Sequence, residues 1–312
     1  MNTFSTTFTA VAMLLTIGII GYWMLSRKVI AGPVLGALSA LAIDIALPCL
    51  TFAGILKNFH PERNASWWTL PLWWLGSTAF FLVLTLACAQ AAKKDYRREF
   101  RVSLLFQNGI FFPLAIIAEM YGTASPLLVE LFLFTLLYPA FFFNVSPLFF
   151  SKDHKIDLAK AFNPVLAATV AAMTIRLLDL DPYLPRFLID GFSLVGAMAV
   201  PLLMLVLGGN VYIDMRGSGR PAWLENLKFV MMKNLVFPAA TLGALMILRP
   251  PYPVALIIML QACVPPVTAI PIITEREGGN RNIVNQFMVA SFLFSLISLP
   301  LMLTAFFRFF AP

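Results

Sequence analysis

Side-chain amides and prolines interrupt two otherwise apolar stretches of this 312-residue chain, and they are the residues best suited to bind a polar solute. The first stretch, SLLFQNGIFFPLAII, contains Gln107, Asn108 and Gly109 shortly before Pro113. Proline lacks an N–H donor and clashes with the preceding turn, so a helix through this stretch is expected to break. The freed backbone groups would offer hydrogen bonds, and a half-helix N-terminus would attract an anion.

The second stretch, LQACVPPVTAIPII, has the same character. Gln261 precedes Cys263 and the pair Pro265 and Pro266, and Thr268 follows them. Backbone groups released by these prolines must be buried in protein or line a wet cavity, because lipid cannot bond them. We therefore predict a substrate site where the two interrupted stretches meet. The alternative is a pair of proline kinks whose amide side chains are simply packed, but two kinks at corresponding positions favour the site.

Asp44 is the acidic residue placed centrally within an apolar run, four residues before Pro48. An ionisable group at that depth is costly and suggests a function. Two interpretations are equally supported: Asp44 carries a coupling proton or cation, or it forms a buried ion pair with Lys233 or Arg176. Lys233 itself would attract an anionic substrate or, near a helix end, extend its ammonium to the membrane interface.

The composition indicates that the elements around these residues are membrane helices. Hydrophobic residues make up 60% of the chain and charged residues only 12%, whereas soluble domains are about 25% charged. Such a chain cannot cover its surface with polar groups, which excludes a soluble enzyme, a nucleic-acid module and a secreted disulfide scaffold. The apolar runs are long and continuous, so they predict helices rather than the alternating strands of a barrel.

Ten apolar runs follow one another along the chain and predict ten spanning helices. They cover residues 6–26, 33–56, 68–90, 102–121, 127–150, 161–178, 187–213, 229–249, 253–274 and 284–309. Fifteen of the 22 basic residues fall in alternate loops, beginning with the loop after the first run. The positive-inside rule then places both termini outside. We expect a multi-pass protein of a bacterial inner membrane with periplasmic termini.

The prolines also indicate an internal repeat. Two pairs share a separation of 153 residues, namely Pro48 with Pro201 and Pro113 with Pro266. Five spans per half is an odd number, so the halves would have opposite orientations in the membrane, as in many secondary transporters. The predicted repeats are residues 1–150 and 151–312, joined in a single membrane domain.

Several short motifs, in their order and spacing, resemble the auxin efflux carrier family, whose bacterial members are related to plant PIN auxin exporters. The motifs are DIALPCLTF at 44–52, NPVLAA at 163–168, AVPLLMLVLGG at 199–209, and ACVPPVTAIPIITEREGG with SFLFSLISLP over 262–300. The resemblance implies ten helices in two inverted five-helix repeats, with broken helices four and nine crossing in a mobile transport domain. It places the crossover at Asn108 and Pro113 in the first repeat and at Pro265 in the second.

The resemblance further implies elevator-like movement of organic anions, such as auxin in plants and dicarboxylates like malonate or malate in bacteria. The chain departs from the family at the first crossover. Gly109, Ile110, Phe111 and Phe112 stand where the family has a small, Asn/Gly-rich segment. Phe111 and Phe112 would make the pocket more apolar if they line it, and otherwise they face lipid.

We therefore expect a secondary active transporter of a small organic anion, a mono- or dicarboxylate. The alternatives are a channel, which would need a polar stripe, or a membrane-embedded enzyme, which would need a cluster of catalytic side chains. The expectation is that the chain is not an enzyme and needs no cofactor beyond a coupling proton or sodium ion. Its expected partners are the substrate and the lipid bilayer, not nucleic acid, and a homodimer is compatible with the sequence.

Overall fold

The computed structural model describes residues 3–62, 66–122, 125–150, 164–217 and 222–310. Within these ranges the chain is helical, and β pairing is limited to one isolated bridge between Gln107 and Pro266. The α-helices are α1 (Thr3–Ser26), α2 (Val34–Ala40), α3 (Leu47–Asn58), α4 (Leu70–Cys88), α5 (Arg97–Leu105), α6 (Phe111–Tyr121), α7 (Pro126–Phe134), α8 (Tyr138–Val145), α9 (Pro164–Leu177), α10 (Arg186–Gly196), α11 (Ala199–Gly217), α12 (Trp223–Met231), α13 (Phe237–Leu248), α14 (Tyr252–Cys263), α15 (Ile270–Arg276) and α16 (Arg281–Phe307).

Six helical segments of the described chain are long and apolar enough to cross a membrane. They are Thr7–Ser26, Val34–Asn58, Trp67–Ala91, Arg186–Ile213, Trp223–Leu248 and Arg281–Phe307. Large apolar side chains such as Ile19, Val83 and Ile247 are exposed on their outer faces, as expected where lipid surrounds a helix. The prediction of an all-helical membrane protein is confirmed at this level. The ten-helix arrangement with inverted repeats stays a prediction.

Two of the long segments widen into a π-helical turn. One turn, Leu41–Ala46, joins α2 to α3, and the other, Met232–Val236, joins α12 to α13. In both cases the second residue of the following helix is a proline, Pro48 or Pro238. Because proline supplies no N–H, the regular hydrogen-bond ladder cannot continue through it, and a wider turn accommodates the gap.

Glycines allow α1 and α11 to approach closely. A Cβ at Gly208 would overlap the carbonyl oxygen of Gly18, and one at Gly21 would overlap that of Leu205. Small residues permit such backbone contact between membrane helices. Helix α2 also packs on α11, while α3 packs on α9 and α10. We call α1, α2, α3, α9, α10 and α11 the panel group.

The remaining helices, α4 to α8 and α12 to α16, form a second set that we call the crossover group. Helix α16 contacts α5, α12, α14 and α15. Its Phe287 lies edge-on to Phe100 of α5 at 5.4 Å between ring centroids and stacks on Phe229 of α12 at 4.6 Å. The two groups meet mainly along α1, which packs against α16 and α6, and also where α3 packs on α7 and α11 on α16.

Candidate functional site

The predicted site lies where two helix breaks meet. Residues 106–110, between α5 and α6, form the first crossover segment, and residues 264–269, between α14 and α15, form the second. The segments run antiparallel and exchange two backbone hydrogen bonds: Asn108 N donates to Pro265 O at 2.8 Å, and Val267 N donates to Phe106 O at 2.9 Å. Two sequence segments more than 150 residues apart are thereby held side by side in the core.

Proline sets the position of each break and leaves one carbonyl in need of a donor. Pro113 cannot donate to the carbonyl oxygen of Gly109, four residues earlier, and Pro266 cannot donate to that of Ala262. Both pairs of residues are 153 positions apart in the sequence. Gln261 Nε2 donates to Gly109 O at 2.6 Å, whereas the Ala262 carbonyl faces Lys233 Nζ at 3.5 Å.

Several buried polar atoms at and beside these segments have no hydrogen-bond partner among the described residues. Asn108 is only 2% exposed, yet neither its Oδ1 nor its Nδ2 has a hydrogen-bond partner among the described residues. The buried Oε1 atoms of Gln107 and Gln261 are likewise unpartnered there. Each such atom costs about 1–3 kcal/mol, so a cluster of them indicates groups reserved for a ligand or water.

Neighbouring side chains fix the backbone of the first crossover segment. Tyr138 of α8 donates its hydroxyl to Gln107 O at 2.6 Å, and its ring lies edge-on to Trp74 of α4. Gly109 is required for space, because a Cβ there would overlap the side-chain amide of Gln261. The amides of the segment are therefore held on a rigid support, as a binding site needs.

The structure places the other predicted site residues around the same point. Cys263 is the last residue of α14 and is buried, and the adjoining Pro265 is buried as well. Pro113 is buried in the first turn of α6, and Thr268 is half-buried at the far end of the second crossover segment. Phe112 neither lines an open pocket nor faces lipid, because it packs edge-on against Phe292 of α16.

Asp44 is separate from this cluster. It lies in the π-helical turn Leu41–Ala46, with its side chain exposed, and this turn packs against α9, α10 and α11. Of the two interpretations of Asp44, the buried ion pair is not found among the described residues, since Arg176 bonds Asp181 at 2.6 Å and Phe59 O at 2.8 Å instead. The π-helical turn exposes the face that carries the carboxylate, and hydropathy alone could not show this.

Lys233 is the residue near the predicted site whose burial the sequence did not reveal. It is 0% exposed, so the second of its two interpretations, in which the ammonium extends to the membrane interface, is wrong. The second π-helical turn carries it into the core beside Ala262. The neighbouring pair Pro265 and Pro266 could have indicated that a buried donor is needed. Pro266 leaves a buried carbonyl that some hydrogen-bond donor must reach.

Cavity size does not identify the site. A wide cavity of about 840 Å³ lies between α12 and α16, away from both crossover segments. Its walls are mostly apolar and include Trp223 and Leu293, which are exposed on the outer surface, so it suits a lipid chain better than a carboxylate. A cavity of only about 20 Å³, lined by Ile110, Pro139 and Thr169 among others, adjoins the first crossover segment.

Comparison with known proteins identifies a family that matches most of the chain. The family described as membrane transport protein matches residues 6–156 and 146–303. Protein PIN-LIKES 1 of Arabidopsis thaliana is 29% identical over 175 residues, which cover 50% of this chain and 36% of that protein. The match thus spans about a third of the length of that relative.

Proposed function

The chain belongs to the auxin efflux carrier family of membrane transport proteins, and from this we propose that it is a secondary active transporter of a small organic anion. The substrate class is a mono- or dicarboxylate, such as an auxin-like or malonate-like anion. The site is the pair of crossover segments, with Gln107, Asn108 and Gln261 as hydrogen-bonding groups.

The unpaired amide of Asn108 carries this proposal. Both of its polar atoms are buried without a partner among the described residues, and a carboxylate accepts from amide nitrogens readily. The first turn of α6 begins three residues later and has no side-chain cap. Its free N–H groups and partial positive charge would favour an anion at the same place.

The division into two helix groups supports an elevator mechanism. Both crossover segments belong to the crossover group, whereas the panel group is assembled by its own close contacts, such as that between α1 and α11. A site carried on one group can change sides of the membrane when that group moves past the other. We propose that the panel group stays fixed and the crossover group moves with its substrate.

The same proposal includes the arrangement in the membrane. Two inverted repeats, residues 1–150 and 151–312, would place both termini on the periplasmic side of a bacterial inner membrane. The skewed distribution of basic loop residues supports this orientation. A C-terminal alkaline phosphatase fusion is expected to be active and a C-terminal green fluorescent protein fusion dark; the reverse pattern would overturn the orientation.

Counterflow in proteoliposomes tests the function. After a thermal-shift screen of mono- and dicarboxylates, we expect saturable uptake of a stabilising anion that is accelerated by unlabelled anion inside the vesicles. Asn108→Ala should lower this flux about tenfold, because one or two hydrogen bonds to the substrate are lost. Asn282→Ala, at an exposed position of α16, is the matched control and should keep full flux. Linear, non-saturating flux would indicate a channel instead.

A further inference from the structure

Lys233 is a fully buried lysine whose titratable neighbour is the buried thiol of Cys263. Its side chain is fully enclosed within the crossover group, and no carboxylate of the described residues pairs with it. Removing an ammonium from water without a counter-charge is strongly unfavourable unless fixed dipoles solvate it. Some other group must therefore offset the charge of Lys233.

The C-terminal end of α14 provides that offset. Lys233 Nζ lies 3.5 Å from Ala262 O, in the last turn of α14, and 5.2 Å from the centroid of the Phe237 ring. Carbonyls in the last turn of a helix carry partial negative charge, and the prolines that follow cannot donate to them. The aromatic face adds a further attraction for a cation. Lys233 thus places a positive charge at a helix end that lacks donors.

Asn234, which follows Lys233 in the chain, is already bonded to two serines of α16. Asn234 Nδ2 donates to Ser291 O at 3.1 Å and to Ser298 Oγ at 3.2 Å, and Ser291 Oγ donates to Asn234 Oδ1 at 2.8 Å. A metal ion at the end of α14 would have to break this network to gain side-chain ligands. It would also be repelled by the ammonium that already occupies the position.

Broken helices of secondary transporters commonly bind a coupling sodium ion or proton with freed carbonyls and half-helix C-terminal ends. We propose that the Lys233 ammonium is a tethered substitute for that ion, so that the chain transports its anion without sodium. This inference rests on the proposed function, because it concerns the coupling of the same site. The tethered charge crosses and returns in each cycle, so the net charge moved is that of the substrate.

The wild-type protein gives the first test. Proteoliposomes are assayed for counterflow of radiolabelled malonate and of radiolabelled indole-3-acetate, with sodium or choline as the only added cation. We expect the two rates to agree within about twofold. In a separate sodium-free assay, an inside-positive potassium diffusion potential imposed with valinomycin should drive net uptake of the anion. A rate that falls about tenfold or more without sodium would overturn the inference.

Substitution of Lys233 gives the second test. Lys233→Ala should reduce counterflow about tenfold or more, and ethylammonium, but not ethanol, should restore part of it by filling the vacated position. Lys233→Arg should retain more flux than Lys233→Met, because it keeps the charge. Lys57→Met, which breaks only a surface pair with Asp190, is the control and should be unchanged. Wild-type flux in Lys233→Met would overturn the inference.

These outcomes separate the inference from the proposed function. Saturable flux that requires sodium would refute the tethered cation and leave the transporter intact. No saturable flux of any carboxylate that stabilises the protein would refute the proposed function itself. If no Lys233 variant gives a monodisperse protein in detergent, the sodium and choline comparison on the wild type decides the question.

Discussion

At the first crossover segment, the carbonyl that Pro113 leaves without a donor is bonded by a neutral amide, that of Gln261. At the second, the carbonyl that Pro266 leaves is faced by an ammonium, that of Lys233. Each carbonyl lies four residues before its proline, the two are 153 residues apart, and their donor distances are 2.6 and 3.5 Å. The two breaks therefore leave the same kind of carbonyl, but one carbonyl is bonded by a neutral amide and the other by a lysine.

The difference assigns different tasks to the two breaks. The amide of Gln261 comes from the end of α14, so the first bond ties the two broken helices to each other. The ammonium comes from a third element, the π-helical turn between α12 and α13, and brings charge rather than a link. We infer that the hydrogen bond at the first break holds the two segments of the proposed site together. The lysine at the second break instead sets the charge beside that site.

The largest effect is expected from closing the space at the first break. In Gly109→Ala, the added Cβ would overlap the Gln261 amide, which must leave its bond to the carbonyl. We expect a loss of about 3 kcal/mol in the free energy of unfolding, from overpacking together with a lost buried hydrogen bond. Reversible titration with SDS in detergent micelles measures this quantity.

Gly76→Ala is the matched control, because a Cβ at Gly76 in α4 meets nothing within 4 Å and alanine favours a helix. The double variant Gly109→Ala with Gln261→Ala should lose less than the sum of the single losses, since truncating Gln261 makes room for the new methyl group. Additive losses would show that the two residues do not share this space, and the comparison between the breaks would fail.

Removal of the neutral donor should have the next largest effect. Gln261→Leu leaves the Gly109 carbonyl buried without a partner, at a cost of about 2 kcal/mol in the free energy of unfolding. Gln90→Leu, at an exposed position, should change it by less than about 0.5 kcal/mol. If Gln261→Leu proves as stable as the wild type, the amide is not a structural link and belongs to the ligand instead.

A smaller effect is expected at the support of the first segment. Tyr138→Phe removes the hydroxyl that bonds Gln107 O and keeps the ring against Trp74. The expected loss is about 1 kcal/mol, read by the same titration. Tyr183→Phe serves as control, because Tyr183 is 83% exposed. A loss well above that of Gln261→Leu would mean that the position of the first segment depends on α8 more than on α14.

The sequence predicts the breaks better than it predicts their partners. Pro113 and Pro266 act locally, since a missing N–H stops a helix whatever surrounds it, and so the interrupted stretches were evident from residue types and spacing. The contact of Gln261 with Gly109 joins residues 152 positions apart. No local pattern encodes such a contact, because it depends on how the helices pack.

The two charged residues also show that local sequence does not determine which side chains are buried. Asp44 and Lys233 both lie in apolar runs, and hydropathy treats them alike. Each sits in a π-helical turn, where the extra residue shifts the face that follows. The neighbours then decide the outcome: α16 and α14 enclose Lys233, while the helices around Asp44 leave its side chain exposed. Burial of a charge is thus a property of packing.

The smallest effect on stability is expected at Asp44, which provides the contrast to Lys233. Asp44→Asn should change the free energy of unfolding by less than about 0.5 kcal/mol, because the side chain is exposed and unpaired among the described residues. Counterflow by Asp44→Asn should stay within about twofold of the wild-type rate, because the tethered charge of Lys233 leaves no coupling task to Asp44. Glu62→Gln, at another exposed acid, is the control. A loss of flux of about tenfold in Asp44→Asn, without a matching loss in Glu62→Gln, would return Asp44 to the coupling path.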